Sequence, residues 1–399
     1  MDTQWPAITT EALPWRLDSD DLEFIPKSAR RKIGSTYQAA VPLNISDLEL
    51  NLPIELSSRI EVLVSDLSRF DALQAQRGYN LPALLLRSES AASSQIENLT
   101  SSVRNVALAQ VSGNGPQNAL LIMGNLEAMR SALAINGPLS VDSILEIHRT
   151  LINRGGQTFG GQLRDQQVWI GGNAYSPHGA LYVPPANNRV PGLLDDLIAF
   201  SRREDIGAVA KAAIVHAQLE TIHPFIDGNG RTGRTLLHKI LKDEGVLRQI
   251  ALPVSAGLLH DVGSYMMSLD EYQKGNPVAV VEELVNALEL ALAIGSRTAG
   301  RLDDIMDTWN DLITERAGSS IRHLPQLLAE QPVVNSAYVA EGLAITTRAA
   351  TSLIARACDY GILRPLSNRR RGEFYQADAV IDILEDISSD TGIQRMFER

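Results

Sequence analysis

Between two apolar runs lies the sequence His223-Pro224-Phe225-Ile226-Asp227-Gly228-Asn229-Gly230-Arg231-Thr232-Gly233-Arg234. Pro224 disfavours helical geometry in the residue before it, so the preceding helix should end at His223. Gly228 and Gly230 can adopt backbone angles that are closed to other residues, and successive N–H groups in such a turn form a concave site for anions. A second helix should begin here, and the dipole at its N-terminus also favours negative charge.

The residues around this turn predict what it binds. Periodic apolar residues predict one helix over Ala208–Ile222 and a second that ends near Gly245. Arg231 and Arg234 are three residues apart in the first turn of the second helix, so their side chains can point the same way. Asp227 adds an oxygen ligand suited to a magnesium ion held between phosphates. The stretch therefore predicts a site for a metal-bound polyphosphate beside a histidine that can accept a proton.

The same stretch resembles the signature of the Fic family, His-Pro-Phe-x-Asp/Glu-Gly-Asn-Gly-Arg-x-x-Arg, and matches it at every fixed position. Members of this type transfer AMP from ATP to a protein hydroxyl. The resemblance implies a mainly α fold with a Fic-type helical core, ATP as substrate and Mg²⁺ as cofactor. It also implies a partner protein that offers an extended, hydroxyl-bearing segment, a role that the chain itself can fill.

The resemblance assigns roles by position. His223 would be the general base, and Asp227 would hold Mg²⁺ across the α- and β-phosphates. The backbone N–H groups of the glycine-rich turn would stabilise charge on the transferred phosphate, and the two arginines would bind the outer phosphates. The residues implied to bind ATP are Gly228, Asn229, Gly230, Arg231, Thr232, Gly233 and Arg234.

A second motif, Ser93-Ser94-Gln95-Ile96-Glu97-Asn98, resembles the inhibitory signature of the same family, Ser/Thr-x-x-x-Glu-Gly/Asn. Its apolar spacing predicts a helix over about residues 86–100, on which Ser93 and Glu97 are one turn apart. The resemblance implies that Glu97 pairs with Arg234, so that ATP binds in an unproductive pose. The alternative is that Glu97 is a solvated helix carboxylate.

A third feature is a pair of β-prone runs that flank a connection rich in glycine, asparagine, serine and proline. This pattern predicts a hairpin. In the Fic family, this place holds a flap that pairs with the target peptide as an added strand, and the alternative is a surface hairpin without a partner. The residues implied to contact the target are Val168, Trp169, Ile170, Gly171, Leu181, Tyr182 and Val183.

Three further features concern individual residues. The stretch from His260 to Tyr265 resembles the part of the family that meets the base and ribose of the nucleotide, which implies that Asp261 and Tyr265 contact ATP. A packing role for Tyr265 stays open, because the second aromatic residue usual in that motif is Met266 here. His216 and His238 lie within predicted helices and are interpreted as structural.

Composition predicts a cytoplasmic protein of more than one domain. The chain has 399 residues, a formal charge of −11 and a single cysteine, Cys358, which suits a reducing compartment. The first residues show no signal-peptide pattern, and the sequence shows no stretch apolar enough to cross a bilayer. The acidic charge disfavours wholesale binding of nucleic acid.

The C-terminal part resembles a winged helix-turn-helix with Thr347–Asp359 as its recognition helix. Six arginines and two acidic residues fall between residues 342 and 376, and some of them lie in a predicted wing. Such a surface can contact DNA phosphates, but we favour docking of a protein or support of a homodimer. The predicted regions are an N-terminal helical region with the inhibitory helix (1–137), a catalytic domain (138–295) and a winged-helix domain (315–399).

Three classes of function compete. The leading hypothesis is a protein adenylyltransferase that is autoinhibited by Glu97. The second keeps the fold but removes AMP or transfers another phosphate-containing group; the intact glycine-rich sequence favours AMP transfer, because relatives that phosphorylate depart from it. The third is a winged-helix DNA-binding regulator with a vestigial enzyme domain. The sequence names neither the target protein nor the modified side chain.

Overall fold

The protein is mainly α-helical. A computed structural model describes residues 4–16, 25–30, 33–74, 77–366 and 374–398. The helices, in chain order, are α1 (Lys27–Arg30), α2 (Ile54–Gln74), α3 (Leu81–Ile96), α4 (Val103–Ser112), α5 (Gln117–Ala134), α6 (Val141–Asn153), α7 (Val190–Ser201), α8 (Ala208–Ile222), α9 (Asn229–Asp243), α10 (Val254–His260), α11 (Val262–Gln273), α12 (Pro277–Leu312), α13 (Leu324–Glu330), α14 (Ser336–Gly342), α15 (Thr347–Asp359), α16 (Asp378–Ile387) and α17 (Asp390–Glu398). The strands are β1 (Thr9–Pro14), β2 (Thr36–Val41), β3 (Val333–Val334), β4 (Arg364–Pro365) and β5 (Tyr375–Gln376), and 3-10 turns lie at Asn187–Arg189 and Ser320–His323.

Helices α8 and α9 form the centre of the molecule. Most residues of both helices are buried, and the two helices pack against each other over their length. Helices α5, α6, α7 and α12 surround the pair. The predicted helix over Ala208–Ile222 is observed with those bounds, and Gly245 follows α9 with φ +76°. The loop between α8 and α9, which carries the glycine-rich turn, is therefore held by packed helices on both sides.

The helix with the second motif begins earlier and ends earlier than predicted. Asn80 caps its N-terminus by accepting a hydrogen bond from the Ala83 amide at 3.1 Å, so α3 starts at Leu81. It ends at Ile96, and Asn98 adopts φ +59°. Since α3 packs against α5, α9, α10, α13 and α16, it is a central element of the fold.

The first 45 residues contain a hairpin that the polar and proline-rich sequence did not predict. Strands β1 and β2 pair antiparallel, with Leu13 opposite Tyr37. The Ala40 amide also donates to the Val183 carbonyl at 2.9 Å. The second strand is thus attached to the segment predicted to be a flap, and this long-range pairing carries no local sequence signal.

Helix α12 crosses the boundary that was expected at residue 295. It runs for 36 residues, and Thr298, Leu302, Met306 and Trp309 continue its buried face beyond that point. The main hydrophobic core extends from Trp5 to Met396. The three predicted regions therefore share one core, and α12 is the element that joins the catalytic region to the C-terminal one.

The C-terminal region contains short helices and a small sheet. Strand β5 lies between β3 and β4 and pairs antiparallel with both. Helices α14 and α15 pack against each other, and α15 has the bounds of the predicted recognition helix. Strands β4 and β5 lie within the two strands of the predicted wing, and the tip between them, with its arginines at 369–371, lies outside the described residues. No helix in the described part of the chain is long and apolar enough to cross a membrane.

Candidate active site

His223 ends helix α8 in a backbone conformation that residues other than glycine rarely adopt. Its backbone has φ +50° and ψ +61°, and its amide donates to the Leu219 carbonyl at 2.8 Å. Left-handed backbone at a helix end is usual for glycine and unfavourable for other residues, and such strain is concentrated at functional sites. The left-handed residue turns the chain out of α8 and places the imidazole at the mouth of the loop.

Arg164 fixes the backbone around this histidine, a role that the sequence did not reveal. Its side chain is buried, with Nε donating to the His223 carbonyl at 2.8 Å and Nη2 to the Pro185 carbonyl at 2.6 Å. The Arg164 amide donates to the Pro224 carbonyl at 2.9 Å. Burial lowers the pKa of Arg164 to about 10, so the guanidinium stays charged at neutral pH. One arginine thus ties the histidine turn to the segment that follows the flap.

His148 packs against the loop between α8 and α9, a role that the sequence analysis did not predict. Its ring stacks on Phe225 with 3.6 Å between ring centroids and an interplanar angle of 11°. The Gly161 amide donates to Nδ1 at 2.9 Å, and Nε2 lies 2.9 Å from the Asp227 carbonyl. These partners require the neutral tautomer with the proton on Nε2. Burial lowers the pKa of His148 to about 4, which keeps the ring neutral.

The glycine-rich turn has the geometry expected of an anion cradle. Gly228 caps α9 with φ +82°, and Asn229 closes the loop through two side-chain hydrogen bonds of 2.9 Å to the Phe225 backbone. The Gly228 amide donates to the Asp227 carboxylate at 2.7 Å. The amides that open α9 have no acceptor within the helix, because the first turn lacks a preceding one. A phosphate at this position would accept from them.

Arg231 carries donors that no group among the described residues satisfies. Its side chain is 4% exposed, and Nη2 lies 3.3 Å from Asp227 Oδ2. Nε and Nη1 are buried without a partner in the described part of the protein. Unpaired buried donors on a cation are costly unless a ligand completes them. Asp227 is largely exposed beside it, so an exposed carboxylate and a buried cation are adjacent at the start of α9.

Arg234 is fully engaged by the end of α3. Its Nε donates to the Ser93 hydroxyl at 3.0 Å, and Nη2 donates to the Ser93 carbonyl and to Glu97 Oε1, both at 2.8 Å. Burial alone would raise the pKa of Glu97, but Arg234 outweighs it and the pKa is lowered. The residues of the two motifs, 137 positions apart in sequence, are therefore in direct contact.

Glu97 also reaches the cradle itself. A Cβ atom added to Gly230 would lie 2.0 Å from Glu97 Oε1. The carboxylate therefore rests against the backbone of the first turn of α9, where only glycine leaves room. Since this is the place where an anion is favoured, the protein supplies its own negative charge to that position.

The remaining residues of the stretch face inward. Thr232 and Gly233 are buried, and a Cβ at Gly233 would lie 2.7 Å from His216 Nδ1. His216 Nε2 lies 2.8 Å from the hydroxyl of Tyr265, which is 2% exposed. The structure therefore places Tyr265 in the packing between α8 and α11, and Asp261 caps α11 through the Ser264 amide at 2.9 Å. His216 and His238 are buried in helices, as interpreted.

The segment predicted to be a hairpin folds back on itself with little regular pairing. A single antiparallel bridge joins Ile170 to Tyr182, with the Ile170 amide donating to the Tyr182 carbonyl at 2.8 Å. Gly171 and Gly172 have φ of +74° and +76°, which ends the pairing after one bridge. The predicted pair of strands is thus reduced to a turn.

The flap has an anchored side and an exposed side. The Tyr182 hydroxyl donates to the Thr221 carbonyl at 2.7 Å, two residues before His223, and the Trp169 ring nitrogen donates to the Asn173 carbonyl at 2.6 Å. Leu181 is 87% exposed, and Ile170 is also exposed. Internal hydrogen bonds therefore hold the flap next to the histidine while two apolar side chains stay available to a partner.

The electrostatics leave His223 uncharged at neutral pH. Burial lowers the pKa of His223 to about 4; Arg164 acts in the same direction, and the Glu220 carbonyl, Glu97 and Asp227 oppose it. A neutral imidazole can accept a proton from a hydroxyl that reaches the loop. The loop and the first turn of α9 thus carry a neutral base, an amide cradle and arginine donors. A phosphoryl or nucleotidyl transfer to a hydroxyl requires these groups.

Comparison with known proteins agrees with this geometry. Residues 138–241 match the sequence profile described as the Fic/DOC family. The chain is similar to protein adenylyltransferase fic-1 of Caenorhabditis elegans, with 34% identity over 116 residues that cover 29% of this chain and 22% of the relative. It is also similar to a probable protein adenylyltransferase of Aquifex aeolicus (strain VF5), with 37% identity over 107 residues, which are 27% of this chain and 31% of the relative. The chain thus spans about a fifth to a third of these relatives.

The fold has a solved counterpart over most of its length. A Fic family protein from Desulfovibrio desulfuricans G20 superposes with a TM-score of 0.54 at 21% sequence identity. The similarity covers 82% of this chain and 97% of the other. At this identity the likeness concerns the fold, which extends well beyond residues 138–241.

Proposed function

Because the chain carries a Fic domain and belongs to the Fic/DOC family, we propose that it is a protein adenylyltransferase that transfers AMP from ATP to a hydroxyl of a target protein or of itself, and that Glu97 autoinhibits it. The observation that carries the proposal is the neutral imidazole of His223 beside a cradle where two donors of Arg231 have no partner in the part of the chain that the structure describes.

The proposed reaction is an in-line displacement at the α-phosphate. The oxygen of a Ser, Thr or Tyr hydroxyl forms a bond to the α-phosphorus, the bond to the bridging oxygen breaks, and pyrophosphate leaves. His223 takes the hydroxyl proton, which general bases do best when neutral at the working pH. The amides at the start of α9 hold the oxygens of the transferred phosphate, and Arg231 places its free donors on the outer phosphates.

Asp227 is the residue that would hold Mg²⁺. Its exposed carboxylate at the edge of the cradle has the hard oxygen chemistry that this ion prefers. When bound, the ion neutralises phosphate charge. The orientation of the carboxylate is set by the chain itself, through the hydrogen bond from the Gly228 amide.

Autoinhibition is proposed to act through Arg234. In the observed conformation, Ser93 and Glu97 use its Nε and Nη2 donors, and Glu97 lies against Gly230. A nucleotide in the productive pose would bring the γ-phosphate towards Arg234 and a second negative charge towards Glu97. The two anions compete for one cation, so release of Glu97 is required for full activity.

The target is proposed to lie along the exposed side of the flap, with Ile170 and Leu181 contacting its side chains and the backbone near Gly171 pairing with it. For the C-terminal helices α14 and α15 we propose a winged helix that docks a protein or supports a homodimer, in preference to DNA contact. Arg356 supports this preference, because its guanidinium is already paired with Glu315 at 2.9 Å.

The decisive experiment incubates Glu97→Gly protein with magnesium and ATP labelled on the α- or the γ-phosphate. We expect label from the α-phosphate on the protein, a mass gain of one adenylyl group and release of pyrophosphate. A His223→Ala, Glu97→Gly double variant should retain no label. Transfer of the γ-label would replace the proposal with phosphorylation, and absence of both labels from protein and added targets would refute nucleotide transfer.

A further inference from the structure

A cavity lies behind the inhibitory turn, on the side of α3 away from the nucleotide cradle. It has a volume of about 60 Å³ and is lined by side chains of α3, α4 and α16, among them Arg87, Ala91, Gln95, Val106 and Leu384. The segment that follows α3, including Leu99 and Ser101, forms another wall. The cavity therefore borders both sides of Glu97 in the sequence, although it does not belong to the nucleotide site.

One charged side chain reaches this cavity. Arg87 is 6% exposed, and its Nη2 donates to Gln331 Oε1 at 2.5 Å. Gln331 is neutral and is held in place by bonds to the Ala107 and Val333 carbonyls. Within the described part of the chain, Nε of Arg87 is buried without a partner, and no carboxylate forms an ion pair with this guanidinium. A buried cation without a counter-ion is costly, which points to a missing anion.

The surrounding charges agree with that conclusion. Burial lowers the pKa of Arg87 to about 10; Arg130 acts in the same direction, and Tyr338 and Glu330 act against it. At this pKa the guanidinium is still cationic at neutral pH. Arg130 and Glu330 are opposite charges near this guanidinium, so the uncompensated charge at the cavity wall is that of Arg87 itself.

We propose that this cavity binds a small carboxylate, whose charged group pairs with Arg87 and whose short alkyl chain lies against Ala91, Val106 and Leu384. Arginine is suited to carboxylates because its planar fork can donate two parallel hydrogen bonds. The space exceeds that of a single water and is below the ~150 Å³ of a cavity that holds benzene, which limits the ligand to about two to four carbon atoms.

The bound carboxylate would hold the inhibitory turn closed, an inference that rests on the proposed function. The cavity is formed only while Gln95 and Leu99 keep their positions, and the Leu99 amide donates to the Ser94 carbonyl at 3.0 Å in that arrangement. A ligand that prefers this conformation shifts the population towards it. The carboxylate is therefore a co-inhibitor that stabilises the contact between Glu97 and Arg234.

Binding is tested first, without any requirement for catalysis. Acetate, propionate and butyrate are titrated against chloride at constant ionic strength, and the Tm of the 399-residue protein is recorded. We expect a saturable rise of about 2 °C at tenfold excess over Kd for the wild type. Arg87→Met should abolish this rise, Arg87→Lys should weaken it, and Arg130→Met, which removes a nearby exposed charge, should retain it.

A second variant covers the case in which Arg87→Met folds poorly. Ala91→Leu fills the cavity but keeps the arginine, so it should also abolish the saturable rise. The proposed site would be overturned if carboxylate gave no saturable rise in the Tm of the wild type. It would also be overturned if the Tm of Arg87→Met and of Ala91→Leu rose as much as that of the wild type.

The coupling is tested by amide hydrogen exchange and by transfer. Saturating carboxylate should slow exchange at the amides of Glu97, Asn98 and Leu99, and should lower the wild-type transfer rate about fivefold or more, within the usual range of allosteric coupling. The transfer rate of the Glu97→Gly variant should be the same with and without carboxylate. Unchanged exchange at these amides in the saturated protein would overturn the proposed coupling even if the chain transfers no AMP.

Discussion

At the scale of single residues, the site depends on a few side chains whose protonation is set by what surrounds them. His223 sits in left-handed backbone at the end of α8 with Arg164 bonded to its carbonyl, and burial keeps its ring neutral. Glu97 is kept charged by the guanidinium of Arg234. The base is therefore ready for use at neutral pH, while the arginine that should bind phosphate is already paired.

Replacing His223 by alanine should abolish transfer and leave ATP binding largely intact. General-base catalysis contributes about 10²–10⁴-fold, so we expect a fall of that size in kcat with little change in Kd for ATP. The rate is measured as label incorporated per minute, and ATP binding by calorimetry. His260→Ala, which removes an exposed histidine paired with Asp390, is the matched control and should keep wild-type transfer. Equal rates for both variants would remove His223 from the role of base.

Replacing Glu97 by glycine should raise the transfer rate. A charge-assisted hydrogen bond contributes roughly 1.5–3 kcal/mol, which corresponds to about ten- to a hundredfold. The carboxylate is 39% exposed, so solvent screens part of this interaction and we expect a value near tenfold. Glu97 lies just after the last residue of α3, where glycine costs little helix stability. A rate no higher than that of the wild type in initial-rate assays would show that Glu97 is not the restraint.

At the scale of elements, α3 is too deeply packed to act as a lid. Leu81, Leu84 and Leu85 are fully buried in the main core, and removing such side chains from their surroundings costs about 2–5 kcal/mol each in other proteins. The helix ends at Ile96, and Asn98 leaves it in left-handed backbone. Release of the inhibitory contact therefore concerns the final turn and the residues after it, while the body of the helix stays in place.

A comparison of two neighbouring serines tests this interpretation of α3. Ser93→Ala removes the hydroxyl that accepts from Arg234, but the Ser93 carbonyl and Glu97 keep their bonds to it. We expect a rise in transfer rate of about three- to tenfold, as for the loss of one hydrogen bond of about 1 kcal/mol. Ser94→Ala is the control, because that equally buried hydroxyl donates to the Ser90 carbonyl of its own helix. A similar rise in both variants would indicate loosening of α3 as a whole.

At the scale of the whole molecule, one core connects the nucleotide site to both ends of the chain. Helix α12 packs against α2, α8, α10 and α16, and α16 in turn contacts α3 and α4. The C-terminal region therefore bears on the same helix that carries Glu97. A partner that docks on the C-terminal helices would act on a structure continuous with the inhibitory turn, without a separate linker.

The shared core also predicts how stability depends on pH. Burial lowers the pKa of His148 to about 4, of His216 to about 3 and of His223 to about 4. Since an unfolded histidine has a pKa near 6.5, the unfolded chain binds more protons between about pH 4 and 6.5. The free energy of unfolding should therefore decrease as pH falls through this window, by up to ~1.4 kcal/mol per pH unit for each histidine.

Glu220 acts in the opposite direction and provides the control. Burial raises the pKa of Glu220 to about 7, so between about pH 4.5 and 7 the folded state binds its proton more tightly than the unfolded state. Glu220→Gln should steepen the loss of stability on acidification, while His148→Gln should make it shallower. Urea unfolding at pH 5, 6 and 7 measures both slopes. A free energy of unfolding that is constant over this range in the wild type would contradict the assigned protonation states.

The sequence by itself determined the helix pair, the glycine-rich turn between the two helices and the chemistry of the turn. These follow from local causes: the apolar period of Ala208–Ile222, the proline after His223 and the glycines at positions 228 and 230. Family resemblance, rather than local physics, suggested that Glu97 approaches Arg234. No local signal predicted the hairpin β1–β2, the hydrogen bond from Arg164 to the His223 carbonyl or the tautomer of His148. Each of these depends on groups that are far apart in the sequence.

Only the tertiary structure decided which polar and charged side chains are buried and which groups they contact. It buried Tyr265 against His216, reduced the predicted flap strands to one bridge and continued α12 past residue 295. It also placed Arg87 at a cavity, where a neutral glutamine is its hydrogen-bond partner among the described residues. The hydrogen-bond partners of a polar side chain depend on distances and burial in the packed protein. A short stretch of sequence determines neither of these quantities.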